Sequence, residues 1–157
     1  IEAEMGQLVG LGEMFDIAVE LENEPVCNVG SVAELRRYFD ELEQEEGEVS
    51  RHLRPLVDIT NSWSMGAPPS DDDIAALAPR IDALHLKDRD LAARKTVPFG
   101  DGDIPWAKTL ERLLRDVKVP EVLVSIETHC PQDPRNATAR SVAGLRRIAA
   151  EIGVTVI

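Results

Sequence analysis

Apolar and polar positions along this chain fall into two rhythms. Four short apolar runs read Ile17-Ala-Val-Glu-Leu-Glu22, Pro55-Leu-Val-Asp58, Ile81-Asp-Ala-Leu-His85 and Val122-Leu-Val-Ser-Ile-Glu127. Their length and β-branched content predict strands over 17–22, 54–59, 83–86 and 122–126. Between them the apolar residues recur at helical spacing, as in Leu8, Leu11 and Phe15 or Leu35, Phe39 and Leu42. Helices are expected over 1–15, 32–42, 71–78, 105–117 and 137–152. Ser31 with Glu34 forms a capping box for the second helix, and Ser70 with Asp73 caps the third. Pro105 suits a first turn, Gly153 a helix end, and Gly12 weakens the opening helix near its close.

Strand–helix alternation of this kind implies parallel strands joined by right-handed crossovers. Each apolar run ends in an acid or an imidazole, and buried strands seldom end in charge. Glu22, Asp58, His85 and Glu127 are spaced 36, 27 and 42 residues apart, close to the size of a βα unit with variable loops. In parallel α/β folds function gathers at the carboxyl ends of strands, so one polar site is expected there. The stretch 41–48 is acidic and solvated, and two further segments read as loops, a long 87–104 containing Phe99-Gly-Asp-Gly-Asp103 and a Pro- and Asn-rich 131–136. The tail 154–157 is β-prone and has no assigned place.

Composition narrows the function. The chain has 157 residues, 43% hydrophobic and 29% charged, which suits one globular domain or a piece of one. A formal net charge of −12 opposes nucleic-acid and anionic-membrane partners, since neutralising phosphate needs a Lys/Arg surface. No apolar stretch approaches the ~20 residues of a membrane span, and no secretion signal is visible. Cys27 and Cys130 form no paired motif, so reduced thiols in a cytoplasm are expected. The chain starts at Ile1, inside a helix-like segment with no cap before it, and so reads as truncated.

With these motifs in order, the chain resembles the second half of the xylose-isomerase-like TIM barrels, the sugar isomerase/epimerase superfamily. Glu22-Asn23-Glu24-Pro25 is similar to the family's Glu-Asn step after strand five, and Asp58-Ile-Thr-Asn61 to its strand-six Asp motif. His85-Leu-Lys-Asp88 resembles the strand-seven His-Xaa-Lys-Asp motif, Pro98 to Trp106 the Gly-rich loop that follows, and Ser125-Ile-Glu127 the strand-eight Glu. The resemblance covers almost the whole chain as a single partial domain, 1–157. It implies an α/β half-barrel of parallel βα units, strands five to eight, with a metal held by Glu22, Asp58, His85 and Glu127. Many relatives carry His where this chain has Asn61, which can bond a hydroxyl but cannot carry charge. Strands one to four, with one wall of the pocket, are absent; a typical barrel needs ~250 residues.

Three carboxylates and an imidazole suit a hard or borderline dication, Mn²⁺, Mg²⁺, Co²⁺ or Zn²⁺. The resemblance further implies that Glu22 and Glu127 act as paired acid/base groups across a planar sugar or polyol intermediate. Asn61, Lys87 and Arg89 are candidates for positioning hydroxyls, and Trp106 for the pocket edge. Plainer readings stand beside these: Glu22 and Glu127 as solvated strand ends, Asp58 as a turn cap, His85 as a core histidine. His52 is expected to be exposed, His129 to belong to a loop, and Gly100 with Gly102 to make a turn. Three functions follow. The first is metal-dependent isomerisation or epimerisation through an enediolate. The second is a non-catalytic half-barrel whose open edges pair with a second copy or with the missing N-terminal half. The third, ranked lowest, is an endonuclease for damaged DNA, whose zinc cluster needs more histidines than the three present.

Overall fold

The computed structural model of the chain describes residues 2–46 and 49–157, without the side chains of residues 2, 3 and 46. Parts of the expected opening helix and acidic stretch, at 1, 47 and 48, lie outside the described residues. Six strands occur among those residues: β1 (Val19–Glu22), β2 (Leu53–Asp58), β3 (Ala83–Leu86), β4 (Asp88–Asp90), β5 (Lys95–Val97) and β6 (Leu123–Ile126). Six helices alternate with them: α1 (Glu2–Phe15), α2 (Val32–Glu46), α3 (Ile59–Ser64), α4 (Asp71–Leu77), α5 (Trp106–Arg115) and α6 (Pro134–Glu151). Strands β1, β2, β3 and β6 form one parallel sheet in that order, the α/β arrangement of part of a TIM barrel. All four of its strands fall on the four apolar runs.

Strand register divides the sheet into two faces, because successive side chains point to opposite sides. Val57 stands opposite Leu84, and Asp58 opposite His85. Val57, Leu84 and Leu86 are buried with Leu35 and Phe39 of α2, Ile74 and Leu77 of α4, Leu110 and Leu113 of α5, and Ile148 of α6. Burying each such side chain contributes about 1.5–3 kcal/mol. Neighbouring positions on the other face carry Asp58 and His85, so the same register that builds the core sets the polar site.

Several local outcomes differ from expectation. Helix α1 does not bury the stripe of Leu8, Leu11 and Phe15, which are 48%, 48% and 65% exposed. It packs through Met5 and Val9 instead. Gly12 lies inside α1 because of a close approach: a Cβ there would meet the Ile17 carbonyl oxygen at 2.8 Å. His52, expected at the surface, is buried, with Nδ1 3.2 Å from the Ile17 carbonyl oxygen. The stretch after β2 is helical, since Asp58 caps α3 directly. The long 87–104 segment holds the antiparallel β4–β5 hairpin, with Asp88 opposite Val97. Helix α6 starts at Pro134 because Asp133 accepts from the Asn136 N–H at 3.3 Å and proline's fixed φ suits a first turn. The tail 154–157 adopts no regular structure.

The Ser31–Glu34 capping box forms as the spacing predicts. Glu34 Oε2 accepts from the Gly30 and Ser31 N–H groups at 3.0 and 2.9 Å, while Ser31 Oγ accepts from the Glu34 N–H. The bonds from Gly30 and then Ser31 hold the Glu34 carboxyl below its ordinary range. A carboxylate with a depressed folded-state pKa stabilises fully above its unfolded value of 4.5, and that stabilisation fades as pH falls through the folded value. Glu34→Gln, which keeps an acceptor but loses the charge, should therefore lower the urea midpoint at pH 7. The gap between variant and parent should close on acidification below that range.

Candidate metal centre

Four strands that run the same way present their carboxyl ends along one edge. Glu22 ends β1, Asp58 ends β2, His85 is the third residue of β3, and Glu127 follows β6 directly. Each offers a ligand atom, and these atoms all lie within 4.8 Å of one another. His85 Nδ1 is 3.0 Å from Glu22 Oε1 and 3.3 Å from Glu127 Oε1, so the two glutamates flank one imidazole nitrogen. The lone-histidine reading does not hold, because the ring's partners are carboxylates of other strands.

Asp58 is fully buried, and its position is fixed from both ends of the residue. Its Oδ1 accepts from the Asn61 N–H at 2.8 Å, so the turn-cap role is real. Its backbone N–H donates to Asn23 Oδ1 at 3.0 Å, and its carbonyl accepts from Asn23 Nδ2 at 2.8 Å. Asn23, itself fully buried, thus clamps the end of β1 to the end of β2. Its only signal in the sequence was its place beside Glu22.

Lys87 enters the cluster rather than waiting at its rim. The side chain is buried, with Nζ 2.8 Å from both Glu127 Oε2 and Asp58 Oδ2. Oδ2 of the buried Asp58 carboxylate is thus paired by the ammonium. Burial raises the Asp58 carboxyl against the pull of Lys87. For Lys87 burial acts downward, but Asp58 and Glu127 outweigh it and raise the ammonium's pKa. For Glu127 burial acts upward, and the bond and charge of Lys87 outweigh it and lower the carboxyl.

The other candidates sit apart from these groups. Asn61 Nδ2 is engaged with the Asn23 carbonyl at 2.7 Å and Glu24 Oε2 at 3.2 Å. Arg89 spans the hairpin, donating to the Arg94 carbonyl at 2.9 Å. Trp106 is buried in the core, its ring centroid 4.8 Å from that of Phe99. His129 lies in the loop after β6 with φ of 40°, and Cys130 is a half-buried free thiol. Asp88 holds no cluster atom. It organises the Gly-rich loop, its two oxygens accepting from the N–H groups of Arg89, Gly100, Gly102 and Ile104 at 2.8, 3.1, 3.1 and 3.4 Å. Gly100, with φ of 85°, supplies the left-handed residue this turn requires.

The donor set fits a divalent cation. Three carboxylates and one imidazole converge, and oxygen with nitrogen ligands matches hard and borderline dications.

Parallel βα units carrying a carboxylate–imidazole cluster at their carboxyl ends define a barrel-type α/β protein with a site suited to a metal. The family model for the xylose isomerase-like TIM barrel matches residues 9–148, and the chain belongs to that family. Among solved structures, the Xylose isomerase domain protein from Planctomyces limnophilus aligns with a TM-score of 0.60 and 18% identity, over 87% of this chain and 47% of its own. That likeness establishes the fold, and this chain spans about half the length of that protein. None of the curated proteins matches it. No helix among the described residues is long and apolar enough to cross a membrane.

Proposed function

We propose that this chain carries the metal-binding half of an isomerase or epimerase acting on a sugar or polyol. The observation that carries the reading is the convergence of Glu22, Asp58, His85 and Glu127 within 4.8 Å in a chain of this family. A bound Mn²⁺, Mg²⁺, Co²⁺ or Zn²⁺ would act as a Lewis acid on the substrate carbonyl and neighbouring hydroxyl.

The residues themselves would divide the proton transfers. Glu22 and Glu127 flank His85 from the first and last strands of the sheet. One carboxylate takes the proton from the carbon next to the carbonyl, and the other, in its protonated form, delivers a different proton from the opposite side. Asp58 keeps its charge directed into the cluster because Asn61 holds its second oxygen. Asn61 has its amide donors engaged within the protein, which favours a role in shaping the site over direct substrate contact. The inner side of the sheet is open at β6, where Leu123 is 71% exposed, so turnover requires a covering half-barrel, from a second copy or a preceding segment.

Isothermal titration with Mn²⁺ should show one ion per chain. With the pocket complete, ketose substrates should exchange carbon-bound hydrogen for deuterium in D₂O by NMR. Absence of any dication binding by the folded chain would remove the basis of the reading. Binding of about three zinc ions per chain would favour the nuclease chemistry instead.

A further inference from the structure

Lys87 occupies a place that a pocket-lining lysine does not need. Its ammonium lies 2.8 Å from one oxygen of Asp58 and 2.8 Å from one oxygen of Glu127, two of the four clustered residues. Its backbone is fixed, the carbonyl accepting from Thr60 Oγ1 at 2.6 Å, while the ammonium ends a four-carbon stem with several rotatable bonds. Three carboxylates this close repel one another unless a cation stands among them, and here the cation is Lys87. Oδ1 of Asp58 accepts from the N–H of Asn61, and Oδ2 is the oxygen that faces Lys87. A dication bound to that oxygen would lie within a few ångströms of the ammonium, and like charges at such range inside a partly dry site repel strongly.

We propose that Lys87 is a built-in counter-ion, holding Asp58 and Glu127 together in the metal-free protein and withdrawing from Asp58 when a divalent cation enters. This rests on the reading of the cluster as a dication site. It makes Lys87 a positioning residue that acts through two carboxylates, and it links metal loading to exposure of an amine beside the pocket.

Two measurements test it on the folded chain at fixed pH and salt. In the first, Mn²⁺ affinity is compared by titration calorimetry for the parent, Lys87→Met, Lys87→Gln and Lys87→Arg. The neutral variants should bind Mn²⁺ tighter by about tenfold or more, since a competing charge is gone, yet unfold at lower temperature without metal. Lys87→Arg, which keeps the charge, should not gain affinity. In the second, the parent chain is acetylated with acetic anhydride and the Lys87 peptide is followed by mass spectrometry. Saturating Mn²⁺ should raise Lys87 labelling several-fold, a readout that needs no variant to fold. If the parent binds Mn²⁺ but the neutral variants bind it equally or more weakly, or Lys87 labelling is unchanged or falls, the exchange is wrong and the metal site stands. If the parent binds no Mn²⁺, both fail together.

Discussion

Replacing Asp58 with Asn should lower divalent-cation affinity by more than about a hundredfold, beyond the range seen for partners that merely orient a ligand. The substitution is nearly isosteric, so the fold can survive it. An amide oxygen can still accept from the Asn61 N–H, and the Asn23 clamp holds only the backbone of residue 58. What changes is the buried atom that faces Lys87. In the parent it is a buried carboxylate oxygen paired with the ammonium. In the variant it becomes an amide N–H₂, which repels both the ammonium 2.8 Å away and any incoming metal. Circular dichroism should show the parent's secondary structure, and calorimetry with Mn²⁺ should show no saturation at concentrations that fill the parent. An affinity within about threefold of the parent would mean that Asp58 is a cap and nothing more.

The cluster was legible because two independent patterns coincide at it. Short apolar runs rich in β-branched residues locate the strands, and a charged or imidazole group at the end of each run marks the edge where parallel strands bring distant residues together. Glu22 and Glu127, 105 positions apart, needed only the correct strand order to meet. The strand ends also locate Lys87, but its role depends on where a flexible four-carbon stem comes to rest, which no spacing encodes. Asn61, Arg89 and Trp106 are the opposite case. Their side chains suit a pocket, yet nearer partners claim them: the Asn23 carbonyl, the Arg94 carbonyl and the Phe99 ring. The β4–β5 hairpin escaped notice because three-residue strands give almost no alternation to read. Helix α6 gave a usable signal in Asp133-Pro134, obscured by the surrounding proline and asparagine residues that suggested a loop. The exposed stripe of α1 has no counterpart in its pattern; amphipathic spacing predicts that a face is buried, but not that a partner for it is present.

Removing the Asp88 side chain should be among the most damaging single changes outside the cluster. Asp88 is 1% exposed and gathers four backbone N–H groups, three of them from 12 to 16 residues along the chain. Burial raises its carboxyl pKa, and the bonds from Arg89, Gly102, Gly100 and Ile104 counter it only in part. Alanine would leave the N–H groups of Gly100, Gly102 and Ile104 without an acceptor, at about 1–3 kcal/mol for each that water cannot reach. A total loss of at least about 3 kcal/mol is expected, a large share of the 5–15 kcal/mol typical of a domain. Urea unfolding should report it as a lower midpoint at unchanged slope. Gly102 supplies the internal control. A Cβ there would stand 2.3 Å from Asp88 Oδ1 and 2.6 Å from the Arg89 carbonyl oxygen, so Gly102→Ala must displace the same carboxylate. In a double-mutant cycle the cost of Gly102→Ala should shrink in the Asp88→Ala background, without vanishing, because the Arg89 carbonyl remains in its path. Strictly additive costs would show that the loop is held by something other than Asp88.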